Sequence, residues 1–225
     1  MDPWLAEFGT PALRLVVDRG LVRMTDRRDI GIHNEYGITF GSDDLAEFFA
    51  GFVIPSGVVD QNRVPRELRL GTGDVLVNVR RGDYFANAEN RLRYSFDLNE
   101  YLVAALGRSE KSSGPIDRIL VVSDGISWCQ ENLQWLAAHC NSLLFEDRGL
   151  PSPIHLALLA NSPRLILANS TFSYWGGYLS TWRYQRPLDI VAPWFHVRDD
   201  NGGAAWQLDP RWAVVKDIPS GWRFP

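Results

Sequence analysis

From residue 74 to residue 193, short runs rich in β-branched residues alternate with segments of helical period, which confines this chain to an α/β fold with a parallel sheet. The expected strands are 75–80 (VLVNVR), 119–124 (ILVVSD), 142–147 (SLLFED), 164–169 (RLILAN) and 188–193 (LDIVAP). One helix is expected over 97–107, where Asp97 and Glu100 have the spacing of a capping box. Another is expected over 127–140, with Ser127 and Gln130 as caps and Leu133, Leu136, Ala137 and Cys140 on one stripe. Ser152 followed by Pro153 opens a third, because proline at the first helical position gives up only an N–H that had no partner. A last helix spans 171–182. Ahead of residue 74 only 43–52 reads as helix, among short apolar pieces broken by Gly, Pro and charge.

In an open parallel sheet, ligands bind outside the carboxyl ends of the strands, so the strand endings locate a site. Four successive strands end in polar residues: Arg80-Arg81-Gly82-Asp83, Ser123-Asp124, Glu146-Asp147-Arg148 and Asn169-Ser170-Thr171. Two arginines on one turn present planar forks of donors suited to phosphate oxygens, and Gly82 allows the backbone to approach a ligand closely. Ser170 and Thr171 open a helix whose free N–H groups and dipole favour an anion, which suits a diphosphate. Asp124 stands where a carboxylate reads a ribose or a base, or caps the next helix. The other reading of the arginines is an ion network with Asp124, Glu146 and Asp147. Phe172, Trp175 and Leu179 read as core, and Gly176-Gly177 inside a helix points to close packing.

Composition removes several classes of partner. A net charge of −4 gives no basic field for nucleic acid, and the two cysteines, Cys129 and Cys140, with four scattered histidines offer no paired metal spacing. Both cysteines read as reduced and partly buried. Neither a G-x-G-x-x-G nor a P-loop lysine motif is present, against dinucleotide cofactors and ATP hydrolysis. No stretch approaches the ~20 apolar residues of a transmembrane helix, and the start lacks a basic region followed by a long apolar core. The chain therefore reads as cytoplasmic, with peripheral association at the inner face of a membrane left open.

Four stretches, VNVRRGDYF, VVSDGISWCQENL, HLALLANSPRLILANSTFSYWGGYLS and IVAPWF, in this order and spacing, resemble the α-1,2-fucosyltransferases of glycosyltransferase family 11 over about residues 74–195. The resemblance implies a GT-B-like fold, with a Rossmann-like donor domain at 74–225 and a shortened N-terminal acceptor-side domain at 1–73. It implies inverting transfer of L-fucose from GDP-fucose to the 2-hydroxyl of a terminal galactose, without a metal or a further cofactor. Arg80 and Arg81 would hold the diphosphate, Arg80 foremost, and Asp83 would order the turn. Asn78, Asp124, His155, Asn169, Ser170, Thr171 and Ser173 would line the nucleotide site, and Asp83 or Glu89 is considered as base. Asn78 stands where the family usually has histidine, His155 where it has an acidic residue, and its G-G-x-G-N-Q element is not in this sequence. Binding of a nucleotide sugar or a glycan without transfer is the alternative reading, and a related transfer from another GDP-sugar is a third.

Overall fold

The computed structural model describes residues 7–8, 35–185 and 189–223. Its centre is a six-stranded, all-parallel sheet of β1 (Asp74–Val79), β2 (Arg118–Ser123), β3 (Ser142–Phe145), β4 (Arg164–Ile166), β5 (Asp189–Pro193) and β6 (Ala213–Val215), in spatial order 3-2-1-4-5-6. This is the strand order of a doubly wound, Rossmann-like sheet. Side chains alternate across it: Val75, Val77 and Val79 enter one core and Leu76 the other, so both faces are dry at the central strands, which read as continuous apolar runs, while the edge strands β3 and β6 keep exposed positions.

The helices are α1 (Ser42–Phe48, continued by a π turn Phe49–Val53), α2 (Ala88–Tyr94), α3 (Leu98–Ser113), α4 (Ile126–Asn132), α5 (Ser152–Ala160) and α6 (Thr171–Tyr184). Leu102 and Leu106 of α3 and Leu133 cover one face of the sheet. Leu159 of α5, Tyr178 and Leu179 of α6, and Leu45, Phe49 and Val53 from the α1 region cover the other.

Several expectations change in detail. The helix expected over 127–140 is α4 followed by a 3₁₀ stretch, Gln134–His139, and its N-cap is Gly125, so Ser127 lies inside it. Asp97 does cap α3 by accepting the Glu100 N–H, but Glu100 reaches away to Ser220 instead of closing a capping box. Strands β3 and β4 stop short of 147 and 169, which frees Glu146, Asp147, Asn169 and Ser170 for the loops. α2 and β6 were not foreseen, α2 because its seven residues include no buried one. The expected start of the fifth strand, at Leu188, lies outside the described residues, as does the start of the chain.

Gly176 and Gly177 answer to close packing. A Cβ on Gly176 would sit 2.4 Å from the Leu159 Cβ, and one on Gly177 would sit 2.7 Å from the Trp212 ring. Leu179 is core as expected. Phe172 is only partly buried and Trp175 is 40% exposed, because α6 turns that side toward α1 and an open groove. Both cysteines are free, Cys129 buried and Cys140 partly so. Among the described residues, no helix is long and apolar enough to cross a membrane.

Candidate sugar-nucleotide site

The sheet reverses its winding between β1 and β4, and the crevice outside their carboxyl ends holds the expected cluster. In the register, Val79 pairs with Ser123, so Arg80 and Asp124 leave adjacent strands at the same level. Arg80 is held on both edges, with Nη1 at 2.7 Å from Asp124 Oδ2 and Nη2 at 2.6 Å from Asp83 Oδ1. Asp124 also accepts the Arg81 backbone N–H at 2.7 Å, which ties the turn to β2. A Cβ on Gly82 would lie 2.3 Å from Asp124 Oδ2, and one on Gly125 would lie 2.7 Å from the Arg81 Cβ. The two glycines are the space into which the carboxylate and the Arg81 stem fit.

The two arginines part company. Arg81 lies between Phe85 and Trp128, its guanidinium carbon 3.5 and 3.7 Å from their ring centroids. Burial there pulls its pKa below the ordinary arginine value. Its side chain does not line the cleft, whereas Arg80 does. The ion network read as the alternative is real for Arg80 with Asp124, while Glu146 pairs with His155 and Arg148 instead.

The cleft has a volume of about 380 Å3, and of the expected residues Asn78, Arg80, Asp83, Asp124, His155, Ser170 and Thr171 line it. Asn78 donates to the Val122 carbonyl across the strands. Ser170 caps α6 without a side-chain hydrogen bond, so the first turn keeps its N–H groups for a ligand. His155 and Glu146 meet at 2.8 Å, and the Glu146 side chain is 1% exposed, so a buried carboxylate fixes the imidazole at the cleft wall.

Asn169 and Ser173 stand behind the wall. Asn169 donates to the Tyr94 and His196 carbonyls, and Ser173 accepts the Ala168 N–H, so both shape the loop after β4. Glu89 is exposed on α2 and does not line the cleft. Tyr84, Ser152, read only as a helix start, and Phe172, read as core, also line it, together with Ser123 from the polar strand endings. Tyr84 was legible in principle, since it lies four residues after Arg80 on one tight turn. Its hydroxyl donates to the Asn169 carbonyl and its ring stacks on Tyr94 at 4.3 Å, bridging the two loops. Burial holds that hydroxyl protonated, well above the usual tyrosine value.

Among the described residues no cluster of three His, Cys, Asp or Glu side chains forms a metal site. The charged groups at the cleft are one guanidinium paired with two carboxylates, set beside an oriented imidazole and a helix N-terminus.

Comparison with known proteins places this region in a family. A family model described as glycosyl transferase family 11 matches residues 61–183, a span that includes β1 to β4 and every expected site residue. An alpha-1,2-colitosyltransferase of Escherichia coli is 28% identical over 131 residues, which is 58% of this chain and 44% of that protein. Galactoside alpha-(1,2)-fucosyltransferase 1 of Leontopithecus chrysomelas is 33% identical over 127 residues, covering 52% of this chain and 33% of that protein. Galactoside alpha-(1,2)-fucosyltransferase 2 of Rattus norvegicus is 33% identical over 107 residues, covering 46% and 29%. The chain thus spans less than half the length of these relatives. No solved structure matches it. With the Arg80 turn, the Asp124 lock and the α6 terminus all inside the matched span, the chain belongs to glycosyl transferase family 11.

Proposed function

We propose that residues 74–225 form the donor-binding domain of an inverting, metal-independent GT-B glycosyltransferase that moves L-fucose from GDP-fucose to the 2-hydroxyl of a terminal galactose. The observation that carries the reading is Arg80, locked by Asp124 and facing the free N-terminus of α6 across the cleft. Residues 1–73 belong in this reading to the acceptor side.

The Arg80, Asp83 and Asp124 side chains together carry a net charge of −1, a poor cradle for a diphosphate as it stands. Asp83 is the replaceable partner, because its side chain is 62% exposed against 29% for Asp124, which is also tied to the Arg81 N–H. A phosphate oxygen takes the outer edge of Arg80 from Asp83, while Asp124 keeps the guanidinium aimed. Ser170, Thr171 and the first N–H groups of α6 complete the cradle. During transfer the fucosyl carbon gains positive character and negative charge grows on the leaving diphosphate. Donors fixed in advance stabilise that growing charge without reorganising. Inversion requires the acceptor hydroxyl to approach from the face opposite the diphosphate.

Calorimetric titration with GDP and GDP-fucose tests this reading, followed by a GDP-release assay with lactose. The expected result is donor binding that is lost in Arg80→Ala and kept in Asp83→Asn, with GDP released only when a galactoside is present. A folded wild-type protein that binds neither nucleotide refutes the reading. Because one relative is named a colitosyltransferase, the donor series includes a colitosyl nucleotide, and preference for it would reassign the sugar but keep the site.

A further inference from the structure

Beside the donor cleft, α6 and α1 leave an open groove of about 480 Å3, within the ~300–1,000 Å3 range of small-molecule sites. Its walls are aromatic. Trp175 lies 5.8 Å from Phe48 and 5.9 Å from Tyr178, centroid to centroid, and Trp175 and Phe48 are 40% and 37% exposed. Trp175 cannot turn inward, because Gly176 and Gly177 clamp α6 against Leu159 and Trp212 on its other sides. The indole is thus held open at the groove wall on a rigid helix.

The rim is polar. Asp44 uses Oδ2 to accept the Gly41 N–H, and Gln207 uses Oε1 to accept the Trp206 N–H, which leaves one carboxylate oxygen and the amide nitrogen for a ligand. Thr171 lines both this groove and the donor cleft, so the two meet at the N-terminus of α6.

We propose that this groove seats the terminal pyranose of the acceptor, a deeper statement of the function proposed above that rests on its donor-site reading. A pyranose has apolar C–H faces and a belt of hydroxyls, matching aromatic walls rimmed by a carboxylate and an amide. A purely aliphatic occupant would bury Asp44 and Gln207 without partners for their free atoms. Continuity through Thr171 places the seated ring beside the reacting end of the donor.

The test is saturation-transfer NMR with lactose, run with and without GDP, on wild type, Trp175→Leu and Asp44→Ala. Trp175→Leu removes the indole but keeps an apolar side chain, and near-ultraviolet dichroism checks that each variant folds. The expected result is lactose binding weakened at least fivefold in both variants, with the GDP dissociation constant within twofold of wild type. Lactose binding unchanged in both variants, or absent from the wild type in either condition, overturns the inference. So does a groove that takes dodecanoate while ignoring lactose. Failure of GDP to bind, with lactose still held through Trp175, would sink the donor reading and leave this site standing.

Discussion

Gly82→Ala is the sharpest probe of the locked arginine. The new Cβ would lie 2.3 Å from Asp124 Oδ2 and 3.0 Å from its Cγ, so the carboxylate must move by roughly 1 Å to reach ordinary contact. Asp124 makes two charge-assisted hydrogen bonds, each at 2.7 Å, to Arg80 and to the Arg81 N–H, and such a movement carries it out of range of at least one. A hydrogen bond to a charged group is worth about 1.5–3 kcal/mol when well buried. Partial exposure of this pair puts the stability cost lower, at about 1 kcal/mol. The effect on ligand is larger, because Arg80 then has to be reoriented at the moment of binding. GDP affinity should fall roughly 10- to 150-fold, the equivalent of one charge-assisted contact. Calorimetric titration of GDP reads it directly, with urea unfolding to confirm that the fold survives. A double-mutant cycle with Asp124→Ala adds a second check: both changes break the same lock, so the double variant should bind no more weakly than the worse single one. If Gly82→Ala binds GDP within twofold of wild type, or if the two losses simply add, the lock does not position Arg80.

Further outcomes are expected for four variants. Gly176→Ala should destabilise by about 1–3 kcal/mol in urea unfolding, because its Cβ meets the Leu159 Cβ at 2.4 Å. Gly107→Ala, in the middle of α3 with nothing within 4 Å, should instead stabilise by about 0.5–1 kcal/mol; equal signs for the two would contradict the packing argument. Arg164→Met should cost about 3–5 kcal/mol, since Arg164 and Asp189 pair at 3.1 Å in a nearly dry site and the variant leaves the buried carboxylate with the Ser109 hydroxyl but without its cation. That site lies at the opposite edge of the sheet from the cleft, so GDP binding by the folded fraction should be unchanged. Burial lowers the His196 pKa below its ordinary value, with the Asp200 charge opposing, so the folded state resists protonation more than the unfolded chain does. This histidine's contribution is therefore complete above the ordinary histidine range and lost as pH falls through the lowered folded pKa. The urea midpoint of wild type should drop on going from pH 7.5 to 5.5 by more than that of His196→Gln, and parallel profiles would refute the assignment.

The site was more legible than its internal wiring. VNVRRGDYF and ANSTFSYWGG stand out because their polar residues follow strands that are otherwise apolar, and a parallel sheet delivers all such endings to one edge. Periodicity and spacing did not separate the two arginines; the family resemblance put Arg80 foremost, and it is Arg80, not Arg81, that lines the cleft. Arg80 is held by the Asp83 and Asp124 carboxylates and Arg81 by the Phe85 and Trp128 rings, and Asp124 and Trp128 come from segments more than 40 positions later. The partner of Glu146 was hidden for the same reason: His155 comes from the first turns of α5 and meets the carboxylate only after the loop between them folds. Trp175 misled because helical period shows which residues share a face but not what covers that face.

The sequence by itself determined the α/β class, the five strand positions between 74 and 193, and the edge of the sheet at which the candidate site lies. Those follow from local periodicity and from the geometry common to parallel sheets. Only the tertiary structure decided that Asp124 aims Arg80 while Phe85 and Trp128 withdraw Arg81, and that α6 shows Trp175 to a groove. These are choices between equivalent side chains, set by contacts among segments distant in sequence, and no local pattern encodes them.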